Sequence, residues 1–235
     1  MKYDRVIQGT FIDRPNRFIA NVKIRGENDV ADSDHVVKAH VKNTGRCKEI
    51  LRPGVTVVLQ ESDCPDRKTG YDLIAAYKGD ILINIDSQAP NRAFREFIPS
   101  SGLFGDDPII RPECTHGDSR FDFYIEDGDR KVFVEVKGVT LEQDGVCSFP
   151  DAPTERGLKH LRGLREAVDE GFECYAAFII QMKPVKYFTP NYATHPEFGL
   201  VLEEVNRDGV GILAYDCRVL PDSMTVDSPV PVRFR

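Results

Sequence analysis

Turn punctuation constrains this chain before anything else does. Across its first 86 residues, short β-prone runs are cut apart every few positions by Pro, Gly, Asn or Asp, and no convincing helix intervenes. Val6–Asp13 and Phe18–Ile24 are joined by Arg14-Pro15-Asn16-Arg17. His35–Val41 and Val55–Gln60 follow, with Arg52-Pro53-Gly54 between them, and Tyr71–Tyr77 and Ile81–Ile85 flank Lys78-Gly79-Asp80. Five or six such strands suggest a small barrel such as the OB-fold; other small β-barrels fit the pattern too.

The patterning changes after residue 86, which places a domain boundary near 87. Pro90–Ile98 reads as a short helix with Ala93, Phe94, Phe97 and Ile98 on one face and Pro99 closing it. Strands are expected at Arg120–Glu126 and Lys131–Leu141. Thr154–Glu170 is the clearest helix: Thr154 caps it, Glu155 suits the positive end of its dipole, Leu158, Leu161, Leu164 and Val168 form the stripe, and Gly171 stops it. An apolar strand at Glu173–Gln181, a helix at His195–Asn206 and a strand at Gly211–Val219 complete a mixed α/β domain. The expected organisation is 1–86 as an OB-fold-like domain, 87–222 as the α/β domain and 223–235 as an extended, loosely held tail.

Composition narrows the function classes. The 235 residues carry a net charge of −7, distributed as about +1 over residues 1–90 and −8 over the remainder, so no wholesale basic coat for nucleic acid exists and any such contact must be local. Six cysteines at 47, 64, 114, 147, 174 and 217 lack zinc-ligand spacing and read as reduced thiols of a cytoplasmic protein. No apolar run approaches the ~20 residues of a membrane helix, and the start, Met1-Lys2-Tyr3-Asp4-Arg5, lacks the apolar segment of a secretory leader; no membrane partner is expected.

The segment Ser119–Gly138 carries the chemistry. With Gly128-Asp129 as a hairpin turn, Asp122 faces Glu135 across the strands. Alternation then puts Phe121, Phe123, Ile125, Val132, Val134 and Val136 on one face and Arg120, Asp122, Tyr124, Glu126, Lys131, Phe133, Glu135 and Lys137 on the other. Two carboxylates ~5 Å apart repel by roughly 3 kcal/mol at an effective dielectric of ~20, which calls for a neighbouring cation. Lys137 is one candidate; a divalent metal is the other, and oxygen-only ligands favour Mg²⁺ or Mn²⁺. A solvated sheet face laced with ion pairs is the plain alternative. A glutamate inside the hydrophobic strand Val-Glu-Val-Lys-Gly, with the strand continuing through Val139-Thr140-Leu141, weighs against it.

An Asp followed by Glu-x-Lys on the next strand resembles the core of the PD-(D/E)XK nuclease superfamily, although Phe121 stands where that pattern often has Pro. Four longer blocks are more specific. His40-Val41-Lys42-Asn43-Thr44-Gly45-Arg46-Cys47-Lys48-Glu49-Ile50-Leu51, Ser119-Arg120-Phe121-Asp122-Phe123, Glu135-Val136-Lys137-Gly138-Val139-Thr140 and Phe149-Pro150-Asp151-Ala152-Pro153-Thr154-Glu155-Arg156-Gly157-Leu158-Lys159-His160-Leu161 together resemble the sugar fermentation stimulation protein A (SfsA) family. The likeness spans residues 1 to about 220. It implies an N-terminal OB-fold-like domain, a PD-(D/E)XK nuclease-like α/β domain and DNA binding.

On that resemblance Asp122 and Glu135 hold Mg²⁺ or Mn²⁺, helped by the Val136 carbonyl, and Lys137 orients a water or stabilises developing charge; no organic cofactor is expected. Glu96 is the choice for an additional acid, with Glu113 its rival. Arg156, Lys159 and His160, at i, i+3 and i+4, are read as phosphate contacts opposite the leucine stripe, with Arg120 beside them. The barrel adds Arg17, Lys42, Asn43, Thr44, Arg46 and Lys48 as the DNA-binding surface, with Tyr3, Phe11 and Phe18 near enough to stack, although Phe11 and Phe18 fit the core equally well. The leading expectation is a DNA-binding protein with metal-dependent phosphodiester hydrolysis; the alternatives are a non-catalytic transcriptional regulator of sugar metabolism and a sugar-pathway enzyme. Single- against double-stranded DNA and a homodimer stay open.

Overall fold

The structure is a computed structural model that describes residues 1–25, 34–43, 45–62, 67–105 and 107–235. The chain divides into two compact units, one of residues 1–89 with 181–183 and 218–225, the other of residues 90–180, 184–217 and 226–235.

The first unit is built from β1 (Val6–Asn16), β2 (Ile19–Ile24), β3 (His35–Val41), β4 (Thr56–Glu61), β5 (Tyr71–Lys78) and β6 (Ile81–Asn84). The sheet order is β3-β2-β1-β4-β5-β6, and β3 also pairs in parallel with β5, Ala39 opposite Tyr71 through Val41 opposite Leu73, which closes β1–β5 into a five-stranded barrel. Apolar side chains fill it: Phe11, Val22, Val57, Leu59, Leu73 and Ile83 are at most 2% exposed, each worth roughly 1.5–3 kcal/mol of transfer free energy. All six strands lie where the turn signals place them. One detail differs. β1 runs through Arg14 and Pro15, and the reversal falls at Arg17-Phe18, where the Asn16 side chain accepts the amide hydrogens of Phe18 and Ile19. That side chain supplies the turn, so Pro15 need not break the strand.

After the barrel strands comes α1 (Ala89–Phe97), continued by a 3-10 turn over Ile98–Ser100 instead of stopping at Pro99. Then come β7 (Ile109–His116), β8 (Ser119–Asp127), β9 (Arg130–Val139), β10 (Leu141–Gln143), β11 (Val146–Phe149), α2 (Glu155–Asp169), β12 (Glu173–Ile180), β13 (Tyr187–Pro190), α3 (Pro196–Arg207), β14 (Gly211–Leu220) and β15 (Ser223–Pro229). The large sheet has the order β15-β14-β12-β9-β8-β7, and a small sheet has the order β10-β11-β13. β12 pairs in parallel with both β9 and β14, so its sequence is apolar on both faces, with Ala176 through Ile180 at most 1% exposed.

Helix α2 begins as its sequence dictates: Thr154 is extended and its hydroxyl accepts the Gly157 amide hydrogen at 3.0 Å. Leu158, Leu161 and Leu164 are buried; Ala167 replaces Val168 as the fourth. Gly171, at φ +92°, ends the helix region in the left-handed conformation glycine adopts without strain.

The expected loose tail is not found. Residues 223–229 are strand β15, the Val230 amide donates to Ala214, and the Phe188 and Arg233 amides exchange hydrogen bonds with Pro231 and Phe188 carbonyls around a parallel bridge at Val232. Its proline-rich composition hides strand pairing that depends on a partner some 40 residues upstream.

Candidate functional site

The β8–β9 hairpin turns at Gly128-Asp129, with Gly128 at φ +61°. Its register runs from Asp127 opposite Arg130 to Phe123 opposite Val134. One step further, where Asp122 would face Glu135, the Asp122 carboxylate takes over. Its Oδ2 accepts the Val136 amide hydrogen at 2.7 Å, and its Oδ1 accepts the Asn91 side-chain amide at 2.7 Å. Phe123 meets Phe94 of α1, whereas Phe121 meets Phe133 and the His160 ring of α2, so the simple face alternation breaks at Asp122.

The other face is also less open than its composition suggests. Phe133 is 4% and Glu135 2% exposed, because α2 and its neighbours cover them. Gly163 permits this close approach: a Cβ there would lie 2.6 Å from the Ser119 hydroxyl and 3.3 Å from the Phe121 ring. Through that contact α2 delivers His160 to the sheet.

Glu135 is the centre of the arrangement. Its Oε1 accepts hydrogen bonds from both the Lys137 ammonium and His160 Nδ1. Its Oε2 is buried and has no hydrogen-bond partner. Arg156 donates from Nε to His160 Nε2 at 3.4 Å, so Nε2 is the acceptor nitrogen and Nδ1 carries the hydrogen given to Glu135. Burial alone would raise the Glu135 carboxyl, but the His160 hydrogen bond and Lys137 outweigh it, and its pKa lies below the ordinary 4.5. Asp122 goes the other way. Burial and the Glu135 charge push it above 3.8 despite the Val136, Lys137 and Asn91 contributions. Two neighbouring acids with divergent affinities for a proton are a common mark of a working site.

Of the residues anticipated from sequence, Asp122, Glu135, Val136, Lys137, His160 and Arg156 are brought together, with Val136 seen to contribute its amide. His160 is not a surface phosphate contact: it is 6% exposed and bound to Glu135, because Gly157, His160, Leu161 and Leu164 share the inward face at i, i+3, i+4 and i+7. Glu96 is exposed on α1 and does not supply the helix contact to Asp122; Asn91 does. Glu113 is exposed as well, at φ +54°, with its carboxylate 3.3 Å from Arg120. Arg156 and Lys159 are exposed and line a cleft of about 520 Å³ with Asp118, Ser119, Arg162 and Glu166.

In the barrel, Lys42 is not on display. Its ammonium lies 2.8 Å from the carboxylate of Asp86, whose side chain is fully buried. Asn43 donates to the Ile85 carbonyl and accepts the Gly45 amide hydrogen. Arg14 donates to the carbonyls of Arg17, Asn43, Gly45 and Arg46 at 2.5–3.0 Å. Thr44 lies outside the described residues. Arg17, Arg46 and Lys48 are exposed, and the Arg17 guanidinium sits over the Phe18 ring at 4.8 Å. Tyr3 and Phe11 are core residues at 4% and 2% exposure, which removes them as stacking partners.

A closed five-stranded barrel followed by a mixed α/β domain, with an Asp and a Glu-x-Lys segment meeting at a strand pair, defines a recognisable two-domain class. Residues 12–85 match the family model for the SfsA N-terminal OB domain, and residues 88–223 match that for the sugar fermentation stimulation protein RE domain. The chain belongs to the SfsA family. It is 55% identical over 234 residues to a sugar fermentation stimulation protein homolog of Desulfitobacterium hafniense, covering 100% of this chain and 99% of that protein. It is 50% identical to the homolog of Clostridium beijerinckii, covering 99% of each. A solved structure of Pyrococcus furiosus SfsA in complex with Ca²⁺ is similar at TM-score 0.86 and 26% identity, covering 100% of this chain and 98% of that one. No helix among the described residues is long and apolar enough to cross a membrane.

Proposed function

We propose that this protein binds DNA and hydrolyses its phosphodiesters with a divalent cation, Mg²⁺ or Mn²⁺, held by Asp122 and Glu135. The observation that carries this reading is the bare, buried Oε2 of Glu135 beside a second carboxylate and an ammonium. A buried oxygen left without a donor costs roughly 1–3 kcal/mol, and a cation relieves that cost. Among the described residues no cluster of three or more His, Cys, Asp or Glu side chains suits a metal. Two carboxylates nonetheless fit Mg²⁺, which keeps several waters and binds through one or two carboxylates plus substrate phosphate. The relative from Pyrococcus furiosus is described in complex with Ca²⁺, which supports a cation-binding family.

When bound, the cation would polarise a phosphoryl oxygen and acidify a water. Asp122 is oriented for the role by Asn91 and the Val136 amide, and Glu135 by His160 and Lys137. Lys137 would hold positive charge where negative charge grows on the phosphoryl oxygens. Exposed Arg120, Arg156 and Lys159, with Arg17, Arg46 and Lys48 of the barrel, supply phosphate contacts whose strength falls with salt.

The test is incubation with supercoiled plasmid and with single-stranded DNA, with Mg²⁺, Mn²⁺ or EDTA. Cation-dependent cleavage that falls by about 10³-fold or more in Glu135→Ala is the expected result. The exposed position of Glu96 and the engagement of Lys137 with Glu135 favour a second reading, a non-catalytic DNA-binding regulator of sugar metabolism. DNA binding without cleavage in any cation, unchanged in Glu135→Ala, would select it.

A further inference from the structure

The two oxygens of Glu135 are not equivalent. Oε1 accepts the Lys137 ammonium and the His160 Nδ1 hydrogen, while Oε2, equally buried, accepts nothing. A carboxylate with both oxygens free can chelate one ion through the pair, as Ca²⁺ sites do at about 2.3–2.6 Å. A small octahedral ion takes single oxygens at about 2.0–2.1 Å. Recruiting Oε1 would require an ion to displace both donors and to settle against an ammonium.

We infer that His160, acting with Lys137, restricts Glu135 to one available oxygen and thereby tilts the site towards small octahedral cations and away from Ca²⁺. The inference rests on the reading of Asp122 and Glu135 as a cation site, and it concerns the ratio of affinities, so Ca²⁺ binding by a relative is compatible with it. His160 suits the task for three reasons. Its ring is held at 7% side-chain exposure, with the Phe121 ring 6.5 Å away edge-on. The hydrogen bond from Arg156 to Nε2 keeps the hydrogen on Nδ1, facing Glu135. The helix carrying it is fixed to β8 through Gly163. His160 therefore positions another residue's oxygen; it need not touch substrate. A histidine that only filled the core would affect stability without changing which ion is preferred.

Calorimetric titration of the intact protein with Mn²⁺ and with Ca²⁺ tests this in the absence of DNA. The wild type should prefer Mn²⁺. His160→Phe keeps a planar ring without a donor, and should shrink the Mn²⁺/Ca²⁺ affinity ratio by about 10-fold or more, the usual scale for removing a ligand's supporting hydrogen bond. His160→Gln, whose amide can donate to the same oxygen, should keep most of the preference. Should His160→Phe not fold, as judged by circular dichroism, Lys137→Met carries the same expectation for the ratio. Binding of both ions with an unchanged ratio in these variants overturns the inference while leaving the cation site intact. Binding of neither ion by the folded wild type overturns the cation site, and the inference falls with it.

Discussion

The loop at residues 42–46 in the barrel and the Glu135–Lys137 segment of the second unit look alike on paper, since each sets a lysine among polar residues beside β-strands. In the loop the polar capacity is consumed except for one donor, the buried Nε of Arg14. Lys42 faces a buried Asp86, Asn43 uses its side chain on two backbone groups, and four carbonyls converge on Arg14. At Glu135 one oxygen is doubly held and the other receives nothing. Charge in a sequence therefore marks two different situations, a scaffold whose one spare group is a donor and a site whose spare group is an acceptor oxygen. A bare carboxylate oxygen can take a cation, and a spare guanidinium donor cannot; that separates them where charge does not.

The largest effect that would break this comparison is at Lys42. Lys42→Met strips a buried carboxylate of its counter-ion, and should lower the stability of the protein by about 3 kcal/mol in urea unfolding, with DNA affinity at a fixed fraction folded unchanged. A stable Lys42→Met protein with weakened DNA binding would return the lysine to the role its charge suggests. Next in size is Arg14. Its replacement by Ala removes hydrogen bonds to four carbonyls and should cost about 2 kcal/mol, seen as a lower thermal midpoint and faster proteolysis near residue 45; Arg46→Ala on the same loop should stay within about 0.5 kcal/mol.

The smallest effect sharpens the contrast by pH. Asp72 in the barrel is pushed up by burial, but its hydrogen bonds to Arg67 and His40 outweigh that and leave it below 3.8. Its contribution to stability is present above 3.8 and is lost as pH falls through the lower folded value. Asp122 lies above 3.8, so between 3.8 and its folded value the native state binds more protons than the unfolded chain, and stability falls as pH rises through that window. Carboxyl-carbon NMR titration should show Asp122 titrating after Asp72 as pH is raised; the reverse order would remove the electrostatic distinction between the two regions.

Much of the fold was legible because the signals are local. The barrel strands, the turn at Gly128-Asp129, the Thr154 cap and the Gly171 stop each rest on a few adjacent residues. The strands that escaped notice depend on distant partners: Val146–Phe149 and Tyr187–Pro190 pair in parallel across 40 residues, and Ile109–His116 contains Pro112 on an edge strand, where no ladder hydrogen bond is forfeited on the open side. At the site, the meeting of Asp122 with the Glu135 strand followed from hairpin register. Asn91 did not, since an asparagine one turn into a short helix carries no signal until the helix is docked. His160 was within reach: its heptad relation to Gly157, Leu161 and Leu164 places it inward, and the positive charges of Arg156 and Lys159 drew attention to the wrong face.

Arg14 has one more consequence. Its guanidinium reads main-chain oxygens, which every amino acid possesses, and does not use the side chains of Arg17 and Arg46. The course of that loop is thus written by a residue some 30 positions away, and its exposed letters are free to drift. Those exposed side chains can be exchanged without redrawing the path on which they stand.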